Sequence, residues 1–150
     1  MTEEKYDVLI SLVRQNPNSE TRNAEALFNK FINQNFSYDE ISAHPDWPAF
    51  ASAELLNDIL PQIIDEMLKR GDTGNFLIYP VISSIDPLAH DEYPAYKERT
   101  YKLIALANPH FAKKACQFLL AVEKDPPNGP KQVQRLLSFW KNKLEELQAE

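Results

Sequence analysis

Apolar residues recur at intervals of three and four along most of the chain, a spacing that places them on one face of an α-helix. The clearest stripe is near the C-terminus, where Leu136, Leu137, Trp140 and Leu144 follow one another at this spacing. The same pattern predicts a largely helical chain. The predicted helices cover about 3–15, 20–33, a short segment after Ser37, 50–70, 94–107, 109–124 and 130–148.

Two segments leave alternatives open within this pattern. Pro61 lies inside the apolar stripe of 50–70, where a proline either kinks a helix or starts a new one. The segment 76–82 is rich in aromatic and β-branched residues, but Pro80 would remove a hydrogen bond from a central strand. We interpret 76–82 as a short buried helix or an extended segment. The prediction for 1–150 is a single compact all-α domain of six to eight helices, arranged as an orthogonal bundle or as HEAT-like helix pairs.

Composition fits one globular domain, since 43% of the 150 residues are hydrophobic and 25% are charged. No apolar run approaches the roughly 20 residues that cross a bilayer, and the acidic N-terminal segment has no apolar core of a secretory signal. We therefore expect a cytoplasmic protein, a monomer or weak dimer, with no membrane contact.

The single cysteine, Cys116, excludes an internal disulfide and lies among apolar residues, so we expect a buried thiol.

Motifs for catalysis or metal binding are missing from the sequence. The three histidines include no pair four residues apart, the spacing of a zinc-binding helix. His90, Asp91 and Glu92 are adjacent, but neighbouring side chains point in different directions and rarely meet at one ion. We predict no metal, no cofactor and no catalytic residues, and a small enzyme with a dispersed site stays as an alternative.

Charge is the most informative feature because it is segregated along the chain. Residues 31–96 contain eleven acids and two bases, whereas residues 97–143 contain ten bases and three acids. The overall charge of −6 argues against direct nucleic-acid binding. Two interpretations remain open. The acidic segment forms a face that attracts a basic protein partner, or it packs against the basic C-terminal helices within the fold.

Aromatic residues among the acids suggest where a partner would bind, because tyrosine and tryptophan are enriched at the energetic centres of interfaces. The first predicted binding cluster lies in a predicted loop and contains Asp86, His90, Asp91, Glu92, Tyr93 and Tyr96. The second contains Asp39, Asp46 and Trp47. The alternative for these aromatic side chains is that they fasten loops to the core, and for Trp47 this alternative is favoured.

In size, acidity and predicted helical content the chain resembles the small bacterial immunity proteins that neutralise secreted toxins. This resemblance is one of overall profile, so no functional residues carry over from it. It implies a non-enzymatic protein-binding module with a basic toxin as its partner. If that toxin were a nuclease, the carboxylates would mimic phosphates and block its substrate site. A helical scaffold or adaptor subunit is the alternative function.

Overall fold

The computed structural model describes residues 9–10, 18–33, 37–74 and 76–149. Within these residues the chain forms seven α-helices and one 3₁₀ turn, with no strand. The elements are α1 (Ser19–Ile32), α2 (Tyr38–Ala43), the 3₁₀ turn (Trp47–Ala49), α3 (Ala53–Arg70), α4 (Ile78–Ser84), α5 (Pro94–Leu106), α6 (Pro109–Val122) and α7 (Pro130–Ala149). The prediction of an all-α fold with six to eight helices in one compact arrangement is confirmed.

Short polar residues mark where four of these helices begin. In each, a side-chain oxygen accepts a hydrogen bond from the backbone N–H three residues further on, which satisfies a donor that the first helical turn leaves free. The four capping residues are Asn18, Ser37, Ser52 and Asn108. At the other end of α3, Gly71 adopts a φ of 64°, a left-handed conformation that ends the helix as its position in the sequence predicts.

The predicted first helix is wrong at the two of its residues that the structure describes. Leu9 pairs with Ala51 in an isolated antiparallel bridge, and the Ile10 N–H donates to the carbonyl of Phe50 at 3.2 Å. Both side chains are buried, so long-range pairing with the segment before α3 overrides the local helical pattern here. The rest of the predicted helix lies outside the described residues.

The two ambiguous segments are both helical. Helix α3 continues through the buried Pro61, which neither ends it nor starts a new helix, although it leaves the Asn57 carbonyl without its helical donor. Of the two alternatives for 76–82, the short buried helix is present as α4, with Ile78, Val81 and Ile82 in the core. Helix α4 also extends to Ser84, two residues beyond the predicted segment 76–82.

The core forms where α6 packs against both α7 and α3, while α3 also packs against α5. The apolar stripe of α7 faces this core, and its Trp140 is fully buried. The indole N–H of Trp140 donates to the carbonyl of Ile85 at 3.1 Å, which joins α7 to the turn that follows α4. None of the described helices combines the length and apolarity needed to cross a membrane.

Replacing Trp140 by alanine should lower the free energy of unfolding by about 3–5 kcal/mol, because it leaves a large cavity in the core. It also removes the donor to Ile85. Urea unfolding followed by circular dichroism measures the loss. The control is Phe76→Ala, since Phe76 is 76% exposed and its removal should change stability by less than about 0.5 kcal/mol. Equal stability of the two variants would contradict the packing of α7.

Candidate functional site

Asp86 is a buried structural carboxylate. Its side chain is 2% exposed, and Arg135 of α7 donates from Nη1 and Nη2 to its two oxygens, both at 2.8 Å. Gln132 and the backbone N–H of Leu88 donate to the same carboxylate at 3.0 and 2.9 Å. Burial acts to raise the pKa of Asp86, but the hydrogen bonds from Arg135 and Gln132 outweigh it and hold the pKa below its usual value. The expectation that Asp86 is exposed on a loop for a partner is wrong, because its counter-ion is internal.

Other acids of the segment 31–96 are also matched within the fold. Among the described residues, four ion pairs join this segment to the basic segment 97–143. They are Glu54–Lys102, Asp65–Lys114, Asp86–Arg135 and Asp91–Lys97. The first two join α3 to α5 and to α6. Part of the charge segregation therefore reflects packing of the acidic helices against the basic ones.

The second predicted cluster does not form one site. Trp47 is 2% exposed, and its ring makes edge-to-face contacts with Phe28 and Phe31, as the structural alternative for it predicts. Asp39 is exposed and bonded to Arg70 at the end of α3, 2.9 Å away. Asp46 is exposed and borders, together with Trp47, a cavity of about 520 Å³ between α1 and the 3₁₀ turn.

Three residues of the first predicted cluster do come together. His90, Tyr93 and Tyr96 line one side of a cavity of about 290 Å³. The remaining wall consists of Pro48, Ala49, Pro80, Ser83, Ser84 and Arg99. Tyr93 is 61% exposed, so the cavity reaches the protein surface beside its ring. Asp91 and Glu92 directly precede Tyr93 in the sequence, and both are exposed. Asp91 forms a 3.5 Å ion pair with Lys97.

Arg99, which the sequence pattern alone did not single out, also lines this cavity. Its side chain is buried, and Nη1 donates to the carbonyls of Pro48 and Ala51 at 2.5 and 2.9 Å. The guanidinium lies over the ring of Tyr96, 5.1 Å from its centroid. Burial lowers the pKa of Arg99 to about 10, although the nearby Tyr96 acts in the opposite direction. The signal was present in the sequence, because position 99 lies on the same helical face as 96 and 103.

His90 is a polar group of the cavity with only part of its hydrogen-bonding capacity used. Its ring packs against Tyr96 with centroids 5.3 Å apart, and its side chain hydrogen-bonds to the backbone of Ser83. The other ring nitrogen, Nε2, is buried and has no hydrogen-bond partner in the described part of the chain. Burial and the positive charge of Arg99 both lower the pKa of His90, which favours the neutral imidazole.

The chain was compared with protein-family models, curated proteins and solved structures. None of them matches. The function therefore has to be argued from the geometry of the chain itself. Over the residues that the structure describes, no group of three or more histidine, cysteine or acidic side chains is placed to hold a metal ion.

The exposed apolar residues are unevenly distributed. Seven large apolar side chains are exposed in the described ranges, and four of them lie within 76–93. These four are Phe76, Tyr79, Leu88 and Tyr93. We call the exposed part of the loop, residues 88–93, the 88–93 rim. It combines two exposed apolar side chains with two exposed carboxylates, and its His90 and Tyr93 line the Arg99 cavity.

Replacing Asp86 by asparagine should destabilise the protein at pH 7 by about 1–3 kcal/mol, because charged hydrogen bonds to a buried group are lost. The pKa of Asp86 is lower in the folded protein, so its contribution is full above the unfolded value of about 3.9. The contribution disappears as the pH falls through the folded pKa. Urea unfolding of both proteins at several pH values should therefore show the difference shrinking in acid.

The matched control for this substitution is Asp91→Asn. The ion pair of Asp91 with Lys97 is exposed on both sides, so its loss should cost less than about 1 kcal/mol. A stability difference for Asp86→Asn that stays constant below pH 4 would contradict the role of its charge.

Proposed function

We propose that the protein is a non-enzymatic protein-binding module and that the 88–93 rim is the centre of its contact surface. The observation that carries this proposal is the concentration of exposed apolar side chains within 76–93. Scattered exposed apolar residues are ordinary on protein surfaces, whereas a group of them surrounded by polar residues is typical of an interaction site. Tyr93 and Leu88 are 61% and 53% exposed, so each has much surface left to bury against a partner.

The proposed partner is basic. Asp91 and Glu92 lie within the rim, and both are exposed. The pair of Asp91 with Lys97 is solvated and 3.5 Å long, so it competes weakly with a partner's lysine or arginine. Carboxylates around an apolar centre increase the rate of association with a positively charged surface and disfavour acidic partners.

The most specific form of this proposal is a bacterial immunity protein that neutralises a basic toxin, in which a nuclease's phosphate-binding residues would pair with these carboxylates. Its test is genetic: a basic protein encoded directly beside this chain should be toxic when expressed alone and harmless when co-expressed. Toxicity that co-expression does not relieve would rule out the immunity protein while leaving the proposal of a binding module in place.

A helical scaffold or adaptor subunit is the alternative function, and its binding would depend on apolar contacts with little effect of salt.

Reversing the charges with Asp91→Lys and Glu92→Lys should slow association with the partner and weaken the salt dependence of the association rate, because the steering field is removed. The partner is the protein captured from the native organism by the wild-type chain. Surface plasmon resonance at low and physiological salt measures the rates. The matched control reverses the exposed pair Glu145 and Glu146 on α7.

A second pair of variants tests the apolar contact separately from the electrostatic effect on association. Leu88→Ala should raise the dissociation rate, whereas Leu120→Ala should not, although Leu120 is 47% exposed and makes a matched control. If the rim variants bind the partner as the wild type does, or if the 145 and 146 reversal has the same effect as the 91 and 92 reversal, the rim is not the contact surface.

A further inference from the structure

We propose that the Arg99 cavity binds a carboxylate group carried on a small apolar body, with the guanidinium of Arg99 as its receptor. The chemistry recognised is the same whether the carboxylate belongs to a free small acid or to the end of a peptide. This inference goes beyond the proposed protein-binding function and does not depend on it.

Arg99 is a buried cation without an acidic partner in the described part of the chain. Its side chain is 6% exposed, and its hydrogen bonds there go to two backbone carbonyls. Burying an ionised group is costly unless an opposite charge is near, and carbonyl dipoles offset only part of that cost. Asp86, the other buried charge, is already held by Arg135 on both of its oxygens.

The remaining N–H donors of the Arg99 guanidinium also have the geometry that a carboxylate requires. Nη1 is used by the carbonyls of Pro48 and Ala51, whereas Nε is buried without an acceptor among the described residues. No hydrogen bond from Nη2 to these residues is present either. The N–H groups of Nε and Nη2 are parallel along one edge of a guanidinium. That edge matches the two oxygens of a carboxylate, which can accept both bonds at once.

The volume and the lining of the cavity also fit a small acid. Its volume of about 290 Å³ is near the lower end for small-molecule sites, enough for one ring or a short branched chain. Pro48, Ala49 and Pro80 provide apolar wall, and the rings of Tyr93 and Tyr96 add aromatic surface. Besides Ser83, Ser84 and His90 the lining is apolar, and a single guanidinium suits a singly charged acid with an apolar body better than a phosphate, which requires more charged donors.

The test uses benzoate as the probe and benzamide as its neutral counterpart of the same shape, titrated into the full chain by calorimetry at physiological salt. Benzoate should bind at one site, at least about tenfold more tightly than benzamide, since a bidentate charged pair replaces neutral contacts. Arg99→Lys keeps the charge but removes the two parallel N–H donors of the guanidinium, so it should weaken benzoate binding about tenfold or more. Arg22→Lys, an exposed arginine of α1, is the matched control and should bind as the wild type does.

A second measurement keeps the proposal testable if the Arg99 variant fails to fold. In ¹H–¹⁵N spectra of the wild-type protein, the Nε–H signal of Arg99 should shift on addition of benzoate and stay in place with benzamide. A short peptide ending in phenylalanine, with a free or an amidated C-terminus, distinguishes the sources. Tighter binding of the free-acid peptide than of benzoate points to a peptide terminus, and the reverse points to a free acid. Equal binding of benzoate and benzamide, or no response of the Arg99 signal to any acid, would overturn the proposal.

Discussion

The turn that follows α4 is held to α7 by two adjacent contacts, and the position of the candidate site depends on them. Asp86 receives both hydrogen bonds of Arg135, and one residue earlier the carbonyl of Ile85 accepts from Trp140. Arg135 and Trp140 are five residues apart on α7, so a rigid helix sets the spacing of both contacts. The loop that leads from this turn into α5 contains the 88–93 rim. The rim therefore follows a turn that is anchored by the buried carboxylate of Asp86 and its ion pair with the partly exposed Arg135.

The two buried charges of this region are neutralised in different ways, and the difference locates the candidate ligand site. Asp86 has a full counter-ion with good geometry, so its burial is compensated within the fold. Arg99 has two carbonyls and an aromatic ring, which stabilise a cation without cancelling its charge. An uncancelled charge beside an accessible cavity raises the affinity for an opposite charge, because the surrounding low dielectric strengthens the attraction.

The parts of the fold that the sequence predicts correctly are those that local information determines. Asn108 caps and Pro109 opens α6 through contacts within four residues, and the stripe of α7 needs only its own periodicity. Leu9 is the opposite case, because its pairing with Ala51 across the sequence decides its conformation. The candidate site divides in the same way. His90, Tyr93 and Tyr96 are close in sequence and line one cavity, whereas the partner of Asp86 is 49 residues away and no spacing rule indicates it.

The charge segregation of the sequence is explained in part by ion pairs inside the fold, and the attraction of a basic partner is proposed only for acids that remain exposed. Glu54, Asp65 and Asp86 pair with basic helices inside the fold, while Asp91 and Glu92 are exposed. These two acids and the buried Arg99 place opposite demands on a ligand. The solvated acids attract a simple cation, which the buried Arg99 then repels, whereas a simple anion meets a weak repulsion from the acids and a stronger attraction from the buried guanidinium. A ligand that satisfies both proposals therefore carries basic groups on its outer part and a carboxylate on an apolar group at its tip, a distribution that a protein segment provides more readily than a small metabolite.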